Sequence, residues 1–310
     1  MNSPNRFRTL SSSSNTLFFI GCSPSEAKSI INPQAPAAGV MISLNALRRR
    51  KSNFEVKSWI LDSGAFTEVA RHGGYRYEVG EYAAAICRWS KCGNLKAAVA
   101  QDFMCEAFVL ERTGLSVSKH QALTIERYDK LTGFDLPVPV MPVLQGYQSA
   151  DYLVHLQQYG DRLSLGQWVG VGSVCKRNGS PDEIANILRG IKLLRPDLKL
   201  HGFGLKAIAL ESAEIRKLLH SCDSMAWSYP TRFSPGKDSV QNRQELAFDY
   251  QKGMSDRING IHQRTVPQTA GAGNGQGRKP KWKNATKAIR IPEKYHSKIL
   301  ELCKQWEDEE

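Results

Sequence analysis

Short apolar runs recur along this chain, and segments with the spacing of amphipathic helices separate most of them. Eight runs can be located, at 17–21, 40–43, 59–62, 97–100, 138–144, 168–172, 198–205 and 222–227. Helical spacing marks the segments 78–91, 117–131, 149–160, 184–194, 208–219 and 241–258. Apolar runs of strand length that alternate with helical segments are typical of βα units, so the pattern predicts a parallel sheet.

The number of these units indicates how the sheet is arranged. The segment 16–262 has the length of a closed barrel of eight βα units, which takes about 250 residues. An open doubly wound sheet is the alternative, but it normally carries a glycine-rich phosphate-binding sequence after its first strand. Gly21-Cys22-Ser23-Pro24 is not such a sequence. We therefore expect an α/β fold of the (β/α)8 TIM-barrel type.

Both ends of the chain depart from this pattern. Residues 1–15 are polar and rich in serine, which predicts a disordered N-terminus. The segment 263–280 is predicted as a flexible linker, and 281–310 as a basic strand and helix tail. The predicted nucleic-acid contacts of this basic extension are Arg278, Lys279, Lys281, Trp282, Lys283 and Lys287. A helix packed on the barrel beside a solvated basic strap is the alternative.

Charge narrows the class of partner. The chain holds 42 Lys and Arg against 30 Asp and Glu, a formal net charge of +12, which favours a polyanion such as nucleic acid. A basic surface that serves solubility is the alternative. No apolar run approaches the ~20 residues needed to cross a bilayer, and residues 1–14 lack the core of a signal peptide. We expect a cytoplasmic protein that does not bind membranes.

The residues that follow the apolar runs carry the candidate chemistry, because a closed barrel gathers its strand ends on one rim. Asp62 and Asp223 supply the two carboxylates that nucleophilic and acid/base work at a glycosidic carbon requires. Asp102 and Gln145 can hydrogen-bond the amide and amine edge of a heterocycle. The other candidate base-binding residues are Ser63, Gly64, Phe103, Gly146, Gly170, Gly172 and Gly204.

Structural roles are the alternatives for several of these residues. Asp62, Asp102 and Asp223 could each cap a helix. Gln145 could satisfy loop backbone, and Phe103 could be an ordinary packing aromatic at the rim. We interpret His201, inside the seventh run, as a core histidine with a satisfied hydrogen bond.

Over residues 16–235 the motifs, in this order, resemble the queuine/archaeosine tRNA-guanine transglycosylase superfamily. The matching stretches are Asp62-Ser63-Gly64-Ala65-Phe66, Asp102, Gln145-Gly146, Gly170-Val171-Gly172, Gly202-Phe203-Gly204 and Asp223-Ser224. Three longer stretches, 142–146, 171–175 and 223–228, look most like the DpdA-type branch. Members of that branch exchange guanine in DNA for a 7-deazaguanine.

The resemblance implies an enzyme, a DNA-guanine transglycosylase of the pentosyltransferase class. It implies that Asp223 is the nucleophile and Asp62 the general acid/base. The expected partners are DNA, 7-cyano-7-deazaguanine as the incoming base, and other proteins of a DNA-modification system. A tRNA-guanine transglycosylase and a non-catalytic nucleic-acid-binding homologue are the alternatives.

Two departures from the superfamily pattern affect these expectations. If Pro230-Thr231-Arg232 is the anchor for alignment, the nucleophile position falls on Ala226, which would mean an inactive enzyme. The C-terminal zinc motif is also missing, since only Cys303 lies beyond Cys222. We therefore expect no zinc subdomain, no metal and no cofactor.

Overall fold

The predicted strands form one sheet in the computed structural model, which describes residues 16–177, 179–229 and 239–261. Within these ranges nine strands pair in the order β5-β4-β3-β2-β1-β9-β8-β7-β6, and every pair is parallel. The strands are β1 Leu17–Gly21, β2 Gly39–Ser43, β3 Ser58–Asp62, β4 Asn94–Val99, β5 Val140–Met141, β6 Val143–Leu144, β7 Trp168–Val171, β8 Lys199–Gly202 and β9 Leu219–Ser224.

The sheet returns on itself at the apolar run 138–144, which contains both β5 and β6. Here β5 pairs with β4 while β6 pairs with β7, so one run joins the two ends of the sheet. Pro142 separates the two strands because it has no N–H to donate to a ladder. Its carbonyl still accepts a hydrogen bond from the Gly170 N–H at 2.8 Å. The predicted barrel is thus confirmed, and the open doubly wound sheet was the wrong alternative.

Helices connect most of the strands, and the described ones are α1 Leu44–Leu47, α2 Ala65–His72, α3 Val79–Trp89, α4 Ala107–Thr113, α5 Val117–Thr132, α6 Ser149–Tyr159, α7 Pro181–Leu194, α8 Ala213–Leu218 and α9 Val240–Ile258. The sequence pattern did not indicate α1, α2 and α4, which are too short for a clear period. The helix predicted over 208–219 begins later, at α8, because the Ser212 hydroxyl caps its first turn by accepting from the Ile215 N–H at 3.4 Å.

The last strand also differs from its predicted position. The apolar run was placed at 222–227, but β9 begins at Leu219 and ends at Ser224. Polar residues inside the strand hid its start from the apolar pattern. Ser221 lies directly beside His201 of β8 in the sheet register, and the two side chains hydrogen-bond.

Apolar side chains fill both sides of the barrel wall. The larger core lies between strands and helices and includes fully buried Trp59, Tyr82 and Leu200. A smaller cluster comprises Phe19, Met41, Ile60, Ala97, Val99, Met141 and Val143. Burying one such side chain contributes roughly 1.5–3 kcal/mol. Met41 and Val99 of the smaller cluster also line the cavity described below, so the cavity rests on apolar packing.

The chain divides into two units, residues 1–262 and 263–310, and every described residue belongs to the first. The predictions for residues 1–15 and for the linker and tail concern residues outside the described ranges, and the proposed domain boundaries stay predictions. Across the described ranges, no helix combines the length and the apolar character required to span a bilayer.

Candidate active site

A cavity of about 480 Å³ lies where the strands end. In a parallel barrel the carboxyl ends of the strands and the loops that follow them carry the chemistry. Six of the residues predicted for the site line this cavity: Asp62, Asp102, Gln145, Gly172, Gly204 and Asp223.

Asp62 is the last residue of β3, and two neighbouring groups fix its carboxylate. Its Oδ2 accepts a hydrogen bond from the Gly64 N–H at 3.1 Å, and its side chain hydrogen-bonds that of Ser43 at the end of β2. Burial, together with a smaller contribution from the nearby charge of Asp223, raises the pKa of Asp62 to about 6. A carboxyl with a pKa near neutrality can both give and take a proton at physiological pH.

Asp102 and Gln145 form one hydrogen-bonded unit in the cavity wall. The Gln145 Nε2 donates to Asp102 Oδ2 at 2.5 Å, and the Ser173 hydroxyl donates to Gln145 Oε1 at 2.8 Å. Ser173 has a φ of 58°, an unusual left-handed conformation for a residue other than glycine. Burial raises the pKa of Asp102 to about 7, with a further contribution from the charge of Asp62. The unit therefore offers a carboxyl group that titrates near neutrality.

Two glycines position side chains of the site: Gly172 leaves space for Gln145, and Gly204 places its N–H beside Asp223. A Cβ on Gly172 would lie 2.0 Å from Gln145 Nε2, so any side chain there would displace the amide. Gly204 has a φ of +61°, and its N–H donates to Asp223 Oδ1 at 3.0 Å. A glycine N–H that donates to a carboxylate has no side chain of its own to order, so only the aspartate side chain loses conformational entropy.

Asp223, in β9, is held by a second donor from the neighbouring strand. Its Oδ1 also receives a hydrogen bond from His201 Nε2 at 3.2 Å. The other ring nitrogen, Nδ1, lies 2.9 Å from Ser221 Oγ, which itself accepts from the Trp168 indole N–H at 2.7 Å. Because a carboxylate can only accept, the bonded His201 nitrogen carries its proton, and a neutral ring then accepts at Nδ1 from Ser221.

His201 and Glu106 are two residues of the site that sequence reasoning did not identify. His201 was interpreted as a core histidine, and it is fully buried, but its partner is the candidate nucleophile. Glu106 lines the cavity while 7% exposed, and its Oε2 has no hydrogen-bond partner among the residues that the structure describes. Burial raises the pKa of the Glu106 carboxyl. A polar histidine inside a predicted strand, at His201, was the available signal; none marked Glu106.

Five residues predicted to bind the base do not line the cavity in the described part of the chain: Ser63, Gly64, Phe103, Gly146 and Gly170. Gly64 has a φ of +80° and starts α2, where a Cβ would meet the Asn45 amide at 2.4 Å. At Gly170 a Cβ would meet the Phe203 ring at 2.3 Å, and Phe203 is the residue that faces the cavity.

The remaining three pack behind the wall. The Ser63 carbonyl accepts from the Tyr77 hydroxyl at 2.6 Å. The Phe103 ring packs against Tyr75, 5.6 Å between centroids, within a small apolar cluster, as the alternative interpretation expected. A Cβ on Gly146 would lie 2.8 Å from the Tyr152 ring of α6. These three residues lie behind the side chains that line the cavity.

The cavity also bears on the choice of nucleophile position. Asp223 lines it, whereas Ala226 begins a short helical turn and does not. A carboxylate therefore stands at the cavity when Asp223-Ser224 is aligned with the nucleophile motif of the superfamily, the alternative to anchoring on residues 230–232. Residues 230–232 and the predicted contacts Arg278, Lys279, Lys281, Trp282, Lys283 and Lys287 lie outside the described ranges.

Comparison with known proteins adds a family. The model of the family described as DpdA, DeoxyPurine in DNA protein A, matches residues 34–250. No curated protein matches the chain. A solved structure described as "Native KDPGal structure" is 13% identical, with a TM-score of 0.38 over 78% of this chain and 95% of that chain. That structural likeness is too slight to carry an argument.

Proposed function

This chain belongs to the DpdA family, DeoxyPurine in DNA protein A, and on that basis we propose that it exchanges guanine in DNA for a 7-deazaguanine. The proposed incoming base is 7-cyano-7-deazaguanine. The observation that carries the proposal is the meeting of Asp62 and Asp223 in one cavity, close enough for the charge of Asp223 to raise the pKa of Asp62. Base exchange at C1′ of deoxyribose needs one carboxylate as nucleophile and a second group to move a proton.

Asp223 is the nucleophile of the proposed reaction. Both hydrogen bonds described for its carboxylate fall on Oδ1, so Oδ2 is the oxygen that attacks C1′. The bond between C1′ and N9 breaks, and its electron pair leaves with the guanine. An ester between Asp223 and deoxyribose then keeps the sugar activated until the second base arrives.

Asp62 moves the proton in both halves of the reaction. In its acid form it protonates the departing guanine, and as a carboxylate it then takes the N9 proton of the incoming base. The N9 electron pair forms the new bond to C1′ while the ester bond breaks, which returns Asp223 to its carboxylate form. Proton and charge balance over the cycle, so these steps call for no metal or redox cofactor.

Asp102 reads the purine in this proposal, and Gln145 holds it in place. The donor amide of Gln145 is directed at Asp102 because Ser173 occupies the amide oxygen. The target nucleotide must leave the base stack to reach such a cavity, which costs a few kcal/mol in duplex DNA.

Incorporation of labelled 7-cyano-7-deazaguanine into a guanine-containing DNA oligonucleotide tests the proposal. Asp223→Ala should abolish incorporation and the trapped protein–DNA ester, and Asp62→Asn should abolish turnover while DNA binding remains. Asp135→Asn, on an exposed loop after α5, is the control for a carboxylate change outside the cavity. Undiminished exchange by Asp223→Ala would contradict the assignment of the nucleophile.

The same assay on tRNA separates the alternatives. Exchange into tRNA but not DNA would make the protein a tRNA-guanine transglycosylase. Binding of nucleic acid without exchange into either would make it a non-catalytic homologue.

A further inference from the structure

The segments that follow β3, β4 and β7 bring two exposed aromatic rings and a lysine together beside the cavity. Phe66 lies in the first turn of α2, Phe108 in the first turn of α4, and Lys176 in the helical turn after β7. The two ring centroids are 6.2 Å apart, and Lys176 Nζ lies 5.4 Å from the Phe66 centroid and 5.6 Å from the Phe108 centroid. We name Phe66, Phe108 and Lys176 the rim cluster.

The rim cluster stands at the junction of two concave surfaces. Phe66 lines the cavity that holds the acidic residues, while Phe108 and Lys176 line a groove of about 580 Å³. Glu106 and Ser173 line both, so the groove adjoins the cavity. A molecule that places one group in the cavity can therefore continue along the groove.

The rim cluster does not belong to the packed core. Phe66 is 50% exposed and Phe108 is 44% exposed, so neither ring gains the full benefit of burial. Within the described residues Lys176 has no carboxylate within 4.0 Å, whereas its neighbour Arg177 pairs with Glu183 at 2.6 Å. A cation held over two rings by cation–π attraction keeps its charge available to an anion.

We propose that the rim cluster binds the polynucleotide strand next to the base held in the cavity: a neighbouring base stacks on Phe66 and Phe108, and Lys176 contacts a phosphate. Aromatic faces combined with basic side chains are the means by which proteins hold single-stranded nucleic acid. The net charge of +12 favours a polyanion as the partner over a protein surface with few acidic residues. This inference rests on the proposed function for the identity of the base in the cavity.

The binding of a fluorescent single-stranded DNA oligonucleotide, measured by anisotropy, tests the inference. Phe108→Ala should weaken binding roughly tenfold, since base–aromatic stacking accounts for about 1–3 kcal/mol per base and tenfold equals 1.4 kcal/mol. Lys176→Ala should weaken binding as well, because a charge that contacts a phosphate is removed. Lys176→Ala should also reduce the slope of log affinity against log salt by about one, because one phosphate contact is lost.

Matched controls lie at the opposite end of the barrel. Phe134 is 45% exposed after α5, on the side where β5 begins, and Lys199 is the exposed first residue of β8. Phe134→Ala and Lys199→Ala should leave oligonucleotide affinity within about twofold of the unchanged protein, as expected for surface changes away from an interface. Thermal unfolding of all four variants checks that the fold is retained.

Binding of free 7-cyano-7-deazaguanine, followed by its thermal shift, separates the two proposals. The Phe108 and Lys176 variants should bind the free base as the unchanged protein does. If they also bind the oligonucleotide as tightly as the controls do, the rim cluster serves another class of partner and the inference is overturned, while the proposed function stands. If the unchanged protein binds neither the base nor the oligonucleotide, the proposed function fails and the inference fails with it.

Discussion

Replacing Asp102 by asparagine should make the protein more stable at alkaline pH while removing its activity. Asp102 is 6% exposed, and burial raises its pKa to about 7 from the ordinary value of 3.8. An asparagine at this position keeps the size of the side chain and an oxygen that can accept from Gln145. It removes only the charge that the cavity holds unfavourably.

The sign and size of this effect follow from linkage. When folding raises the pKa of a carboxyl group, the protein loses stability as pH rises from the unfolded-state pKa to the folded-state pKa. The reason is that the unfolded state ionises first. For Asp102 that window runs from about pH 4 to about pH 7. The shift of roughly 3 units corresponds to about 4 kcal/mol at 1.36 kcal/mol per unit, of which about 3 kcal/mol accrues between pH 5 and pH 8. Because the effective dielectric around buried charges in proteins exceeds that of a dry interior, we expect about 1–3 kcal/mol of this difference.

Urea unfolding followed by tryptophan fluorescence at pH 5 and pH 8 measures this difference. The free energy of unfolding of Asp102→Asn, relative to the unchanged protein, should increase between the two pH values with an unchanged m-value. Asp135→Asn on the exposed loop after α5 controls for the chemical change itself. A relative stability that does not change with pH, or that falls toward pH 8, would refute this account of Asp102. Base exchange by Asp102→Asn should decrease at least 100-fold, so that this variant gains stability and loses function.

Three further predictions test other parts of the site. Gly172→Ala should raise the KM for the incoming base at least tenfold because its Cβ would lie 2.0 Å from Gln145 Nε2. Gly74→Ala, which lies outside both concave surfaces and has no described atom within 4 Å of its Cβ, should leave the KM unchanged. Single-turnover formation of the aspartyl ester should slow with rising pH above about 6, since the departing guanine needs protonated Asp62, and a flat profile would exclude that role. Ser221→Ala should lower the free energy of unfolding by about 1–3 kcal/mol, since it leaves His201 Nδ1 and the Trp168 indole without their partner. The same change should slow ester formation. Ser221→Thr, which retains a hydroxyl, should recover part of that rate.

The fold could be predicted from the sequence because each strand carries its own apolar signal. Eight runs predicted eight barrel strands, and the structure divides only one of them, at Pro142. The start of β9 could not be predicted, because His220 and Ser221 interrupt its apolar character. Apolar patterning reports burial in a core, and it is silent where a strand buries hydrogen-bonded polar groups instead.

The candidate site was predictable to the extent that its residues stand at strand ends. Asp62 ends an apolar run, Asp102 and Gln145 follow theirs, and Asp223 lies within the run predicted at 222–227; the barrel brings all four to one cavity. Glycines were less informative, because Gly64, Gly146 and Gly170 make room for neighbouring side chains while Gly172 and Gly204 line the cavity. A glycine in the sequence does not tell whether the space it leaves belongs to a ligand or to a neighbour.

The distribution of charge determines which part of a nucleotide suits each surface. Four carboxyl side chains, those of Asp62, Asp102, Glu106 and Asp223, line the cavity of a chain whose formal net charge is +12. A phosphate in that cavity would face like charges in a site of reduced dielectric, where repulsion amounts to several kcal/mol. An uncharged purine has no such penalty and offers N–H donors to the carboxylates. The proposed selection of the base over the backbone is consistent with the acidic cavity, and the proposed phosphate contacts come from basic groups outside it, such as Lys176 at the rim.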